Sequence, residues 1–422
     1  MLGLLSNYYM IYNYFLSYVG ALSNEFALDE FFYKQLNVDA KKFGFCPRPS
    51  SSLPMLKGRF FFVLYFKIIF PLLAFIAYFL FFSLFLFYYI FKAFTNSFKG
   101  SIGFVNVYFL VFCERSLDVF SSYDVNGNSY KYVFINAKAS INNANSVDIL
   151  QLVSLKDVFL AYFLSVASLF YVFFNRRMHH WTLQTYTAFK WFIVYRALSK
   201  IKQGELVCAQ HYDRWAVISD QLVTRSRLLN PNDPLKLTMM QHGYLGNLNN
   251  QLDTLILPYK IKSATTVYVY DQKSADYFTQ NIIDSQAGSL KPEYQYFTPP
   301  IQLIDVKIED TATVLIVGNP VCEQFHVSLF LKIKTDCDSN VLIYYKPHPL
   351  NPSSVAMKQV GWVYVEEKNF FPKVNVLVSY PSTMIIEYSA HGIKTISHPL
   401  NAGNHDVELC FTKVCEHIKG HL

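Results

Sequence analysis

Three apolar segments of this chain run directly into polar residues that a strand interior does not carry. Residues 341–345 pass into Lys346-Pro347-His348-Pro349, residues 376–378 into Ser379-Tyr380-Pro381-Ser382-Thr383, and residues 237–240 into Gln241-His242-Gly243. Short apolar runs bounded by Pro, Gly and hydroxyl residues read as buried strands. Polar groups at their carboxyl ends, followed after Ser382 by a helix over 383–391 that Gly392 stops, are how an open parallel sheet builds an anion site. Further strands are predicted at 105–112, 147–153, 206–209, 266–270, 313–317, 362–365 and 394–397, with helices at 215–227 and 274–281. Such alternation predicts parallel sheets with helices on both faces. At 422 residues the chain exceeds one ordinary core, and the Pro-, Gly- and Ser-rich stretch 288–300 supplies a boundary. The expected architecture is α/β: an N-terminal region 1–59, a membrane segment 60–95, and two Rossmann-like domains, 100–300 and 301–422, facing a cleft.

The membrane segment rests on residues 68–91, a stretch of about 24 residues without a charge, against the roughly 20 that cross a bilayer as a helix. The apolar run begins at Phe60 and is broken by Lys67 and Pro71, so a kinked span and a helical hairpin within one leaflet both fit. Lys57 and Arg59 before it and Lys92 and Lys99 after it choose no orientation. A second run, 158–174, lies among predicted strands and reads as a helix of the first domain that packs on the sheet or lies among headgroups, with Arg176, Arg177 and Trp181 as anchors. Charged residues make up 16% and hydrophobic ones 52%, too few charges to cover an ordinary soluble surface. The net charge of +7 fits an anionic membrane or substrate, and no basic run interleaved with aromatics points to nucleic acid. The amino terminus lacks a basic leader region and a cleavage site. Seven cysteines with no CxxC pair and no metal-like spacing to histidine read as reduced thiols on the cytosolic side.

Ser382 and Thr383 open a helix whose first N–H groups lack helical partners, a place for a phosphate, although ordinary capping fits equally. His348, held between two prolines, and Lys346 beside it are candidate donor-binding groups. His242 is the candidate general base, with Gly243 permitting the turn after its strand. Gln241, His211 and Asp213 are candidate acceptor contacts, and Glu387 a candidate for a ribose hydroxyl pair. Asn404-His405-Asp406 reads as a polar loop at the cleft edge. Asp336-Cys337-Asp338 lies before a strand, where no metal-dependent transferase would place it, so neither a metal nor a cofactor is implied.

The Lys346–Pro349 loop and the Ser382-Thr383 turn resemble the HP and serine-rich motifs of bacterial sialyltransferases and capsule Kdo transferases, surface-polysaccharide enzymes of the GT-B type. With Gln241-His242-Gly243, the pattern is also similar to the CDP-glycerol glycerophosphotransferases. The resemblance covers roughly residues 205 to 400. It implies a metal-independent glycosyltransferase that moves a sugar, such as CMP-activated sialic acid or Kdo, onto a lipid-linked glycan. The bacterial inner membrane, with both domains in the cytoplasm, is the implied location. By that resemblance His348, Ser382 and Thr383 would hold the CMP phosphate, and His242 would match the histidine proposed as base in the glycerophosphotransferases. The acidic motif that usually carries the sialyltransferases' catalytic acid is missing here. Transfer of a polyol phosphate from CDP-glycerol or CDP-ribitol is the alternative chemistry, and a non-catalytic glycan-binding assembly protein is the alternative class.

Overall fold

The computed structural model describes residues 2–35, 63–95, 105–123, 131–137, 145–246, 255–286, 289–298, 301–306, 309–337, 340–348 and 353–418. The first sheet contains β1 (Val107–Val111), β2 (Tyr132–Asn136), β3 (Ser146–Asp148), β4 (Glu205–Cys208), β5 (Lys236–Met240), β6 (Ala264–Val269) and β7 (Glu293–Tyr296). Its order is β3-β2-β1-β4-β5-β6-β7, and every pair is parallel. β1 is buried at every position, as a strand covered on both faces must be, and this is why it reads in sequence as an unbroken apolar run. The strand order reverses between β1 and β4, so the connections leave the sheet in opposite directions there and open a crevice beyond the strands' carboxyl ends.

The second sheet repeats this plan. Strands β9 (Ala312–Val317), β10 (Val341–Lys346), β11 (Val363–Tyr364), β13 (Val376–Ser379) and β14 (Lys394–Ser397) are parallel in the order β11-β10-β9-β13-β14, with the reversal between β9 and β13. A small parallel pair, β8 (Leu303–Asp305) with β12 (Phe371–Lys373), lies beside it. At the reversal, the N–H of Gly318 donates to the carbonyl of Lys346 at 2.7 Å. A Cβ on Gly318 would lie 2.4 Å from the Tyr345 ring, which is itself stacked on Trp362 at 4.3 Å. Hydrophobic clusters on the first sheet and a separate one around the second complete two Rossmann-like α/β units.

Several local readings change. Of the segment 147–153 only residues 147 and 148 pair as a strand, within Ser146–Asp148, because the Asp148 side chain accepts the Leu150 N–H at 2.8 Å and turns the chain into a 3-10 helix over Ile149–Leu152. Within 288–300, the alternating Glu293–Tyr296 joins the sheet as its edge strand β7. Asn404-His405-Asp406 is the first turn of the helix Asn404–Ile418, which buries Val407, Cys410, Val414 and Ile418 at helical spacing. No disulfide joins the described cysteines.

The amino-terminal helix Leu2–Gln35 belongs to the first domain. It packs on the helix Arg214–Leu229 and buries polar groups against it. Asn24 donates to the carbonyls of Tyr212 and Tyr259 at 3.0 and 2.8 Å and accepts the Tyr259 N–H at 2.8 Å. Glu25 lies 3.1 Å from the Arg214 guanidinium, and both side chains are 2% exposed. Asp29 accepts from Gln184 at 2.7 Å; burial pushes its carboxyl up to about 8, with Arg214 and Gln184 opposing the shift.

Among the described residues, two helices are long and apolar enough to cross a membrane, and they pack on each other. Val63–Thr95 continues as one helix through Pro71, which removes the hairpin reading, while Lys57, Arg59 and Lys99 lie outside the described residues. Leu155–Phe174 is tied to the first domain at its amino end by a capping box between Ser154 and Asp157. Burial alone would raise the Asp157 carboxyl, but bonds from Ser154, Lys200 and Arg196 hold it down to about 2. Phe75 lies against Phe170 and Phe173, and Phe82 and Tyr89 stack on Phe189. The first helix therefore runs lengthwise along the domain, with Leu72, Leu73, Leu80, Leu84, Phe87 and Phe91 facing outward.

The buried Glu25–Arg214 pair yields a stability prediction. Glu25→Ala leaves an uncompensated buried guanidinium and is expected to cost about 3–5 kcal/mol. Denaturant unfolding followed by tryptophan fluorescence checks this; a loss below about 1 kcal/mol would show that the amino-terminal helix is not integral to the domain.

Candidate active site

The site is assembled from residues just beyond the strands near the two reversals. In the first domain, Arg115 opens the short helix Arg115–Phe120 after β1, His211 comes after β4 and His242 after β5. In the second, His348 comes after β10, and Ser382 and Thr383 come after β13 at the start of the helix Thr383–Ala390, with Glu387 one turn on. The two groups meet where Arg115 approaches Glu387 at 3.8 Å, the arginine side chain 48% exposed and the glutamate 8%. Burial pushes the Glu387 carboxyl up; Arg115 opposes that and Asp118 adds to it. The ribose contact expected for Glu387 is thus replaced here by an ion pair between the domains.

Arg115 was not a sequence candidate, yet its charge reaches both histidines of the cleft. Burial, followed by Arg115, drives His242 down to about 4, and the same two causes in the same order lower His348. Both imidazoles are therefore neutral near pH 7. The available signal was topological: Arg115 lies four residues beyond the end of β1, the strand at which the order reverses.

His242 is half-buried and held by His211. The His242 backbone N–H donates to His211 Nε2 at 3.1 Å, and the His242 Nδ1 lies 3.2 Å from the same atom. His211 Nε2 also lies 3.2 Å from the Met240 carbonyl. With His211 only 3% exposed, and driven well below its ordinary pKa by burial and by His242, it positions the neighbouring ring and does not reach an acceptor. Gln241 is likewise withdrawn. Its amide donates to the Gly243 carbonyl at 3.0 Å and accepts the Tyr270 N–H at 3.0 Å, which pins the turn that presents His242.

Two further candidates have structural roles. Asp213 caps the helix Arg214–Leu229 by accepting the N–H groups of Trp215 and Ala216 at 2.9 and 3.1 Å. Lys346 donates to the carbonyls of Glu367, Lys368 and Phe370, each at 2.9 Å. Those three bonds use every donor of the ammonium. Burial lowers it to about 8, opposed by Glu367. Lys346 thus shapes the His348 loop from beneath and does not face the cleft.

At the helix Thr383–Ala390 the hydroxyl expected to cap has turned aside. Ser379 donates to the Tyr380 carbonyl at 2.7 Å, so Ser382 is the donor in its 2.8 Å bond to Ser379 Oγ. Among the described residues no side chain caps this helix; the Ile385 N–H turns back to the Ser382 carbonyl at 3.2 Å, and those of Thr383 and Met384 remain donors for an anion.

No family model and no curated protein matches this chain. Solved structures similar to it include the apo form of the lipopolysaccharide outer core galactosyltransferase WaaB, at 11% sequence identity and a TM-score of 0.39, over 75% of this chain and 90% of that one. A likeness of that degree leaves activity to be read from the chain's own residues.

Arg115→Ala is expected to raise the His242 pKa from about 4 while leaving it below the ordinary 6.5, because burial is the larger cause. Histidine-selective NMR titration reads this; an unmoved His242 would separate Arg115 from the cleft. A second consequence concerns stability. His211 and His242 take up protons more readily unfolded than folded, so stability is fully present above about pH 6.5 and falls as pH drops toward 4. His242→Gln should flatten that part of the stability profile.

Proposed function

We propose that the protein is a glycosyltransferase that transfers a sugar from a nucleotide donor to a surface-glycan acceptor. The observation that carries this reading is the convergence on Arg115 of a neutral histidine from each domain, beside a helix amino terminus with no side-chain cap. In the reaction the bond between the anomeric carbon and the donor phosphate breaks, and the acceptor oxygen bonds to that carbon. The hydroxyl proton goes to His242. A proton held on His242 Nδ1 against His211 leaves Nε2 bare to receive it. Negative charge developing on the leaving phosphate meets Arg115, His348 and the N–H groups and hydroxyls at Ser382 and Thr383. A bound phosphate also offsets the field of Arg115, which raises His242 toward a more effective base.

The donor is proposed to be a CMP-activated acidic sugar such as sialic acid or Kdo, a choice resting on the Lys346–Pro349 and Ser382-Thr383 resemblance alone. Incubation with CMP-, CDP-, UDP- and GDP-linked donors tests it. Turnover with UDP- or GDP-sugars only would overturn the cytidine preference, and turnover with CDP-glycerol or CDP-ribitol would make the protein a polyol-phosphate transferase. His242→Ala should lower turnover by about 10²–10⁴ with donor affinity preserved. His348→Ala should weaken donor binding roughly ten- to a hundred-fold, the worth of a charge-assisted hydrogen bond of about 1.5–3 kcal/mol.

The acceptor is proposed to be lipid-linked, with the enzyme on the cytoplasmic face of a bacterial inner membrane. The outward face of Val63–Thr95 and the exposed Phe159, Phe163, Phe170 and Phe174 beside it form one apolar surface, ending at the exposed Arg176 and Arg177. Because Val63–Thr95 lies lengthwise on a helix anchored in the first domain, immersion of that face within one leaflet fits better than a crossing. Arg176→Glu with Arg177→Glu should weaken binding to anionic vesicles in low salt and leave it nearly unchanged in high salt. Equal binding of both forms in low salt would remove the arginines from the membrane contact.

A further inference from the structure

Behind the donor side of the cleft, three segments bring soft ligand atoms to one buried point. Cys322 ends the 3-10 turn Pro320–Cys322 that comes after β9, and His326 lies one turn into the helix Glu323–Asp336. His398 comes directly after β14, its backbone N–H bonded to the Ser379 carbonyl at 3.0 Å. His326 Nε2 is 3.5 Å from Cys322 Sγ and 3.2 Å from His398 Nε2, and the three ligand atoms lie within 4.8 Å of one another. All three side chains are buried: Cys322 3%, His326 0% and His398 2% exposed.

Two of these separations, Cys322 to His326 and His326 to His398, match a shared cation. Bonds of about 2.0–2.1 Å to nitrogen and 2.3 Å to sulfur at a tetrahedral angle place two nitrogens about 3.3 Å apart and a nitrogen and sulfur about 3.6 Å apart. The tautomer of His398 is also set for ligation. Its Nδ1 lies 2.9 Å from the Pro399 carbonyl, and donation there leaves Nε2 as a lone pair aimed at His326. Without a metal, one proton sits between the two Nε2 atoms; with one, the ring proton of His326 lies on Nδ1, which has no hydrogen-bond partner among the described residues.

We propose that Cys322, His326 and His398 form a buried site for a thiophilic closed-shell cation, Zn²⁺ or Cu⁺. On binding, the Cys322 S–H gives its proton to solvent and the thiolate bonds the metal. Thiolate with two imidazoles suits both ions; three donors complete a trigonal Cu⁺ site, whereas Zn²⁺ takes a fourth. The cation ties the turn after β9 to the strand end after β14, the pair of segments that flank the Ser379–Thr383 loop. Its role is to brace the donor side of the cleft, away from the reacting atoms.

The test uses the full-length detergent-purified protein, stripped of metal and titrated with Co²⁺ as a spectroscopic probe, then with Zn²⁺ and, under reducing anaerobic conditions, Cu⁺. The expected result is one equivalent of Zn²⁺ or Cu⁺ per chain and, with Co²⁺, a sulfur-to-metal charge-transfer band. Cys322→Ser should abolish the band and Cys337→Ser should keep it. His398→Ala should weaken binding by at least about tenfold. Retention of neither ion, or a band that persists in folded Cys322→Ser, overturns the proposal. Should Cys322→Ser fail to fold, X-ray absorption on the metal-loaded wild type decides: one sulfur with two imidazole nitrogens, joined by one light fourth ligand in the zinc form, supports the site, and any other first shell overturns it. Neither outcome depends on the transferase activity.

Discussion

Every polar group of the candidate site sits beyond the carboxyl end of a parallel strand, and one constraint puts it there. A parallel strand is reached only by a crossover from the far end of its neighbour, so all carboxyl ends lie on one edge and all βα turns gather there. The reversals between β1 and β4 and between β9 and β13 then open a gap in each edge. Arg115 and Glu387, one from each edge, meet in the space so formed. Without the parallel sheets His242 and His348, about a hundred residues apart, would have no reason to share an environment.

Within that space burial keeps His242 and His348 neutral, and the Arg115–Glu387 ion pair lies beside a helix amino terminus without a side-chain cap. An anion placed there meets the Arg115 guanidinium and the helix N–H groups together. The residues around it supply shape and not charge: Lys346 is consumed by three carbonyls, Gln241 by its own turn, and Asp213 by a helix end.

The opposite requirement governs the back of the first domain. There the helix Leu2–Gln35 buries Asn24, Glu25 and Asp29 in paired contacts, while Val63–Thr95 and Leu155–Phe174 turn aromatic and aliphatic side chains outward. The same helices also bury Tyr14, Tyr18, Leu28 and Phe31 and Val158, Leu164 and Leu169 in the core, so the outward apolar face is additional to an ordinary interior and has the size of an interaction surface.

The sequence by itself determined the elements and much of the fold class. Strand ends at Met240, Lys346 and Ser379 were legible because an apolar run stops at polar residues, and the charge-free stretch of Val63–Thr95 was legible from its length. Elements whose stability comes from neighbours were not legible: β2 and β7, half-exposed strands with weak patterns, and the helices Glu323–Asp336 and Asn404–Ile418, whose apolar stripes have meaning only against the second sheet. Only the tertiary structure decided which polar residues face the cleft. Residue type cannot distinguish a lysine that binds phosphate from one saturated by carbonyls, as at Lys346, nor a histidine that reacts from one that holds another in place, as His211 holds His242. It also could not reveal Arg115, or the meeting of Cys322 and His326 with His398, since those juxtapositions exist only once strands far apart in the chain are laid side by side.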